Sequence, residues 1–189
     1  MDNFGRTLVG WFFWLLLWIL ASTVGVAVGW IIGLPGAEDA YRAVNGTLGS
    51  AIFGAIVGTS IGAVVGALQW PFLQGKISQA GWWVLASTVG WAVGLALGWA
   101  WVGLLTAGAV AGAVVGTLQW LVLRGKISQA GWWLPACTVG WAVGWAVGIL
   151  IFKGMGGDGT PAVAGVPGWA GGGCITGVAL VWLLYKNMV

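Results

Sequence analysis

Histidine is absent from the chain, and its 189 residues hold only 4 acidic and 7 basic side chains, 2 cysteines and 5 prolines. Each scarcity removes a class of function. Without imidazole there is no common neutral-pH general base, no histidine ligand for haem and no zinc site of the usual types. Charged residues make up 6% of the chain, against roughly 25% in soluble domains, which leaves no basic face for nucleic acid. Two thiols cannot staple a secreted disulfide scaffold. The mean hydropathy of +0.98, with no polar low-complexity stretch, excludes a disordered chain.

What fills the space is apolar and unusual: 60% hydrophobic residues, 36 glycines and 17 tryptophans. That composition is one of an all-α integral membrane protein, and the formal charge of +3 becomes a statement about topology rather than about binding partners.

Residues 75–83 and 125–133 spell the same nine letters, Gly-Lys-Ile-Ser-Gln-Ala-Gly-Trp-Trp, an internal duplication with a period of 50. The match extends upstream, Gly62 to Trp70 pairing with Gly112 to Trp120, and downstream, Thr88 to Gly94 with Thr138 to Gly144. A third copy is split across the termini. Leu20 to Gly29 matches Leu85 to Gly94 at nine of ten positions, and Gly177 to Trp182 echoes the Leu-Gln-Trp end. The repeating unit is two spans and a short loop.

A span needs about 20 apolar residues, which predicts helices near 7–33, 46–73, 82–102, 105–123, 132–152 and 163–185. The first could be read as a secretory signal, but its second half duplicates the third helix, so it belongs to the fold. The fold class expected is six transmembrane helices arranged as three parallel two-helix repeats with pseudo-threefold symmetry, all in one transmembrane domain, 1–189.

Six spans put the N-terminus, the 74–81 and 124–131 loops and the C-terminus on one side, with Arg6, Lys76, Arg124, Lys126 and Lys186. The other side receives the 34–45, 103–104 and 153–162 connections, with Arg42 and Lys153 beside Glu38, Asp39 and Asp158. The excess of basic residues places both termini in the cytoplasm. Trp11, Trp14, Trp70, Trp82, Trp83, Trp120, Trp132, Trp133 and Trp182 fall near the ends on that side and read as an interfacial belt.

Small residues recur every fourth position, as in Gly54, Gly58, Gly62 and Gly66, Gly90, Gly94 and Gly98, or Gly140, Gly144 and Gly148. Lipid gives helices no hydrophobic reason to associate, so close approach along such ladders supplies the van der Waals contact instead. Intramolecular packing is the reading preferred for them; an oligomer seam or pore lining is the other.

No Asp, Glu, Lys or Arg falls in a predicted span core, which removes the intramembrane ionisable groups of proton relays and ion-coupled transport. No catalytic constellation and no metal site are expected. Cys137 and Cys174 lie at different depths, about 8 and about 16 Å from the cytoplasmic helix ends by the helical rise, and read as packing residues rather than a disulfide. Gly75-Lys76-Ile77-Ser78 lacks the spacing of a phosphate loop; its serine, like Ser128, is expected to cap the next helix. Trp91 and Trp141 fall near the bilayer centre, where a belt does not account for them. Packing or lipid contact is the reading preferred for them; the other, with Thr88 and Thr138 three residues earlier and Gln69 and Gln119 as head-group anchors, is a candidate cofactor-binding wall for an apolar ligand: carotenoid, chlorophyll, quinone or lipid.

The Gly-[Ala/Thr]-Leu-Gln-Trp and Gly-Trp-Trp…Thr-Val-Gly-Trp-Ala-Val-Gly cassettes resemble those of uncharacterised glycine- and tryptophan-rich multi-span proteins frequent in cyanobacteria and filamentous anoxygenic phototrophs. The resemblance covers most of the chain and implies a phototroph's membrane, bacterial plasma or thylakoid. The function expected is non-enzymatic, a structural or accessory subunit of a larger complex such as a photosynthetic one, with membrane lipids and other subunits or further copies of itself as partners. The other readings are a binder or conduit for an apolar small molecule, and a homo-oligomeric glycine-seam pore.

Overall fold

The computed structural model describes residues 8–154 and 165–186. Arg6, Asp158, most of the 153–162 connection and the first residues of the expected 163–185 helix lie outside them. The described chain is helical throughout: α1 (Leu8–Val44), α2 (Gly46–Leu73), α3 (Trp82–Leu97), α4 (Leu104–Leu123), α5 (Trp133–Gly154) and α6 (Val166–Lys186). A π-helical turn, Gly98–Val102, extends α3, and a single 3-10 turn, Ala130–Trp132, precedes α5. Six segments are long and apolar enough to cross a membrane, so the protein is a multi-pass membrane protein.

The first helix departs from the sequence reading. The apolar run suggested a helix ending near residue 33, yet α1 continues through Pro35 to Val44, 37 residues in all. At the helical rise that is about 55 Å, well beyond a hydrocarbon core of about 30 Å, so the helix is longer than a span requires. The exposed Glu38 and Arg42 pair one turn apart at 3.3 Å. Asn45, at φ 57°, ends the helix and lets α2 start at once in the opposite direction.

The 74–81 and 124–131 loops share one conformation. Gly75 and Gly125 take φ values of 73° and 74°, and Gln79 and Gln129 take 61° and 60°; in both loops two successive amides donate to the last leucine carbonyl of the preceding helix at 3.1 Å. The expected serine cap does not form in the first loop. Gly81 holds the cap position of α3, with no side-chain bond, and the Ser78 carbonyl instead accepts from Lys126 Nζ at 2.9 Å, tying the two loops together.

The six helices form a closed ring, each packed on the next in chain order and α6 on α1. The glycine ladders explain the order. A Cβ at Gly25, Gly29 or Gly33 of α1 would strike α2; at Gly54, Gly58 or Gly62 of α2, α3; at Gly90, Gly94 or Gly98 of α3, α4. Those of α4 face α5, those of α5 face α6, and Gly173 and Gly177 of α6 face α1. Every one of these ladder glycines is turned along the ring rather than out to lipid, which leaves none of them for an intermolecular glycine seam. Backbones then approach closely enough for dispersion to hold helices that lipid does not push together.

Candidate functional site

Adjacent residues on a helix point about 100° apart, and this divides each Trp-Trp pair. Trp82 and Trp132 are 57% and 62% exposed, as an interfacial belt requires, whereas Trp83 and Trp133 are buried to within 1%. The belt reading therefore fails for Trp83 and Trp133. They turn into the ring and meet Trp18 of α1: ring centroids lie 6.1 Å (Trp18–Trp83), 6.3 Å (Trp18–Trp133) and 5.5 Å (Trp83–Trp133) apart. Three indoles stop the channel that a ring of six helices would otherwise enclose.

An indole N–H buried without an acceptor costs about 1–3 kcal/mol, and each of these three has one supplied by a neighbouring helix. Trp133 Nε1 donates to Gln119 Oε1 at 3.0 Å and Trp83 Nε1 to Gln69 Oε1 at 2.9 Å. Trp18 Nε1 donates to Thr176 Oγ1 at 3.3 Å. The glutamines pass the chain on. Gln119 Nε2 donates to Ser87 Oγ at 2.9 Å and Gln69 Nε2 to Ser22 Oγ at 3.1 Å; those hydroxyls donate to the carbonyls of Trp83 and Trp18. Thr176 in turn donates to the Gly172 carbonyl. The result is a spiral of hydrogen bonds touching all six helices. Cys137 stands where the other copies have serine, and its thiol reaches Gln119 Oε1 at 3.9 Å.

Of the wall residues expected from sequence, Gln69 and Gln119 thus belong to this belt, both 3% exposed. Trp91 and Trp141 form the next layer, edge to face with centroids 4.7 Å apart and almost wholly buried. Thr88 and Thr138 are not brought to them: each hydroxyl donates to its own helix, to the carbonyls of Val84 and Leu134. Side chains from all six helices close on a central void of about 10 Å³, room for at most one water. The residues that sequence reasoning passed over are Trp18, Ser22, Ser87 and Thr176. The signal was present, since Trp-x-x-x-Ser recurs at Trp18–Ser22 and Trp83–Ser87 with Trp133–Cys137 as its third copy.

The opposite end of the ring is built differently. Trp30 stacks obliquely on Trp99 at 5.6 Å, and Trp99 on Phe53 at 4.9 Å. Nε1 of Trp30, Trp99 and Trp145 is buried and meets no acceptor among the described residues. Trp30, Trp145 and Trp169 line, with Ile149 and Phe152, an apolar cavity of about 60 Å³ between α1, α5 and α6.

Among the described residues no three of His, Cys, Asp and Glu cluster closely enough to hold a metal ion. Cys137 is buried and Cys174 exposed, and both are free thiols; only the first is the packing residue expected. At the loop end, Lys76, Arg124 and Lys186 lie over the rings of Trp14, Trp120 and Trp182 at 5.7, 5.7 and 4.9 Å. Partial burial holds the Lys76 ammonium below the usual lysine value of 10.5. The chain matches no protein-family model, no curated protein and no solved structure.

Proposed function

We propose that this protein is a non-enzymatic structural or accessory subunit of a larger membrane complex, built as three parallel two-helix repeats about a pseudo-threefold axis. The observation that carries the reading is the commitment of the ring's interior to internal packing. Indoles plug its centre, their N–H groups are satisfied by Gln69, Gln119 and Thr176, and the central void takes one water at most. Such a body has no aqueous path along its axis and no reacting groups gathered within it. What it presents to the outside is a broad apolar face, including Phe12, Trp101 and Trp132, each more than half exposed, suited to lipid and to the spans of a partner.

The Trp–Gln bond recurs at 50-residue spacing, Trp83 to Gln69 and Trp133 to Gln119, and each glutamine donates on to a serine one turn after a central tryptophan, Ser22 and Ser87, which supports the repeat reading. Lys76, Arg124, Lys126 and Lys186 at the loop end, against Arg42 and Lys153 with Glu38 and Asp39 at the other, support termini in the cytoplasm. The resemblance in the Trp-rich cassettes supports a phototroph's plasma or thylakoid membrane and a photosynthetic partner.

The test is the native mass of the protein extracted gently from its own membrane. Migration with a particle far larger than 19.5 kDa, dissociating on harsher extraction to release this chain and its partners, is the expected result. A particle of one chain, or of a few copies alone, overturns the accessory reading.

A further inference from the structure

The two ends of the ring differ in how they treat their central indoles, although Nε1 of Trp14, stacked on Trp18 at the loop end, also meets no acceptor among the described residues. At the loop end every N–H of the central trio has an acceptor built into the facing helix. At the far end Trp30, Trp99 and Trp145 bury theirs with none among the described residues. A buried donor left unbonded is costly, and in lipid no bulk water relieves it. A donor left so in a native fold calls for an explanation, and an acceptor brought by a bound molecule is one.

Beside two of the three lies the cavity between α1, α5 and α6. Its walls are the indoles of Trp30, Trp145 and Trp169 with Ile149 and Phe152, aromatic and aliphatic throughout. Trp30 and Trp145 line the cavity and are 5% and 6% exposed; their Nε1 atoms are closed over, so binding requires each ring to turn about χ2 until its N–H faces the occupant. At about 60 Å³ the space is well under the roughly 150 Å³ that admits benzene, so it takes the end of a molecule and not the whole. An occupant matched to these walls is apolar, soluble in the membrane, and carries at that end an oxygen that accepts hydrogen bonds without donating. A carbonyl fits: it is polar at one atom, and its neighbours pack on indole faces.

We infer that the cavity between α1, α5 and α6 binds the carbonyl-bearing end of an apolar, membrane-soluble molecule, with Trp30 and Trp145 as the donors. The site is distinct from the Trp91–Trp141 layer, whose rings already fill each other's space, and it holds whether or not the protein is a subunit of something larger.

The experiment follows the indole N–H resonances of ¹⁵N-tryptophan-labelled full-length protein in detergent micelles, after removal of bound lipid. Three probes are titrated: a decyl-substituted benzoquinone, methyl decanoate, and decylbenzene as the hydrocarbon without an acceptor. The expected result is a saturable downfield shift of the Trp30 and Trp145 protons with a carbonyl probe and none with decylbenzene. The Trp83 and Trp133 signals, already hydrogen-bonded, stay in place and report that the fold is intact. Response to the benzoquinone alone identifies a quinone-like ring; response to methyl decanoate as well identifies an acyl ester or ketone in general. Trp30→Phe and Trp145→Phe each remove one N–H and keep an aromatic wall, and each weakens binding by about tenfold, the worth of one hydrogen bond. Ile149→Trp fills the cavity and abolishes binding with the Trp83 and Trp133 signals retained. No saturable shift with either carbonyl probe, equal binding of decylbenzene, or unchanged affinity in both Phe variants overturns the inference. None of these results alters the native mass, so the subunit reading is judged separately.

Discussion

The hydrogen bond between Trp133 and Gln119 allows the worth of the buried belt to be measured. Gln119→Leu puts an apolar side chain one atom shorter in place of the amide, removing the acceptor of Trp133 Nε1 at 3.0 Å and the donor to Ser87 Oγ at 2.9 Å. In a dry interior an orphaned donor costs about 1–3 kcal/mol. Bonds between spans in membrane proteins average only about 0.6 kcal/mol and reach about 1.7, because the unfolded chain in micelles also finds partners. Gln119 is 3% exposed and Trp133 1%, and the bond is straightforward in length, so the pair belongs in the upper part of that range, at about 1 kcal/mol. Trp133→Phe loses the same bond and some ring volume. In Gln119→Leu with Trp133→Phe neither partner is left wanting, so the double variant is expected to lose about 1 kcal/mol less than the sum of the two single losses. The assay is unfolding by sodium dodecyl sulfate in mixed micelles, followed by near-ultraviolet circular dichroism. Trp145→Phe is the companion measurement: its N–H has no acceptor among the described residues, so in ligand-free protein the same substitution carries no pair contribution and costs correspondingly less. Strict additivity of the two single losses, or a Trp145→Phe cost equal to that of Trp133→Phe, would refute the claim that these bonds stabilise the ring.

Two further outcomes are expected from the same unfolding assay. Gly58→Ala would set a methyl against the Trp91 carbonyl and 2.8 Å from Ala92 Cα, an overpacking worth about 1–3 kcal/mol of destabilisation; Gly36→Ala, with nothing within 4 Å, is neutral or gains up to about 1 kcal/mol in helix propensity. The reverse order would show that the ladders do not set the helix spacing. Lys76 is held below 10.5 by burial, so the fold favours its neutral form. The unfolded chain then binds more protons between the folded value and 10.5, and stability rises with pH across that alkaline window, while below it the cost of the charge is constant. Lys76→Gln should flatten the rise; a rise that persists in this variant belongs to another group.

Much of the architecture could be read from composition and periodicity because a bilayer permits so few alternatives. Apolar runs long enough to span must be helices if every backbone group is to be bonded, and residues 46–73 emerge as α2 with the bounds that hydropathy suggested. The nine-letter duplication 75–83 and 125–133 already implied two loops of one shape, since identical chains with the same neighbours settle alike. The end of α1 was not readable in the same way: apolar length marks where a span ends and not where its helix does, and α1 runs on through Pro35 to Val44.

The candidate site marks the limit more sharply. The sequence named Gln69, Gln119, Trp91 and Trp141 as residues needing explanation, but spacing alone fixes depth and not the direction in which a side chain faces. Trp82 and Trp83 are neighbours in the chain and look alike as belt residues, yet packing against α1 and α5 buries one and leaves the other exposed. Thr176 became the partner of Trp18 across 158 residues, a contact that no local pattern encodes because it exists only once α6 closes the ring on α1. The sequence by itself determined that the chain lives in a membrane, that it is helical, and that its glycines let helices touch. Only the tertiary structure decided which faces meet, and hence that the central trio Trp18, Trp83 and Trp133 finds acceptors while Trp30, Trp99 and Trp145 at the other end find none among the described residues. Side-chain direction around a helix acquires an energy only when the neighbouring helix is in place.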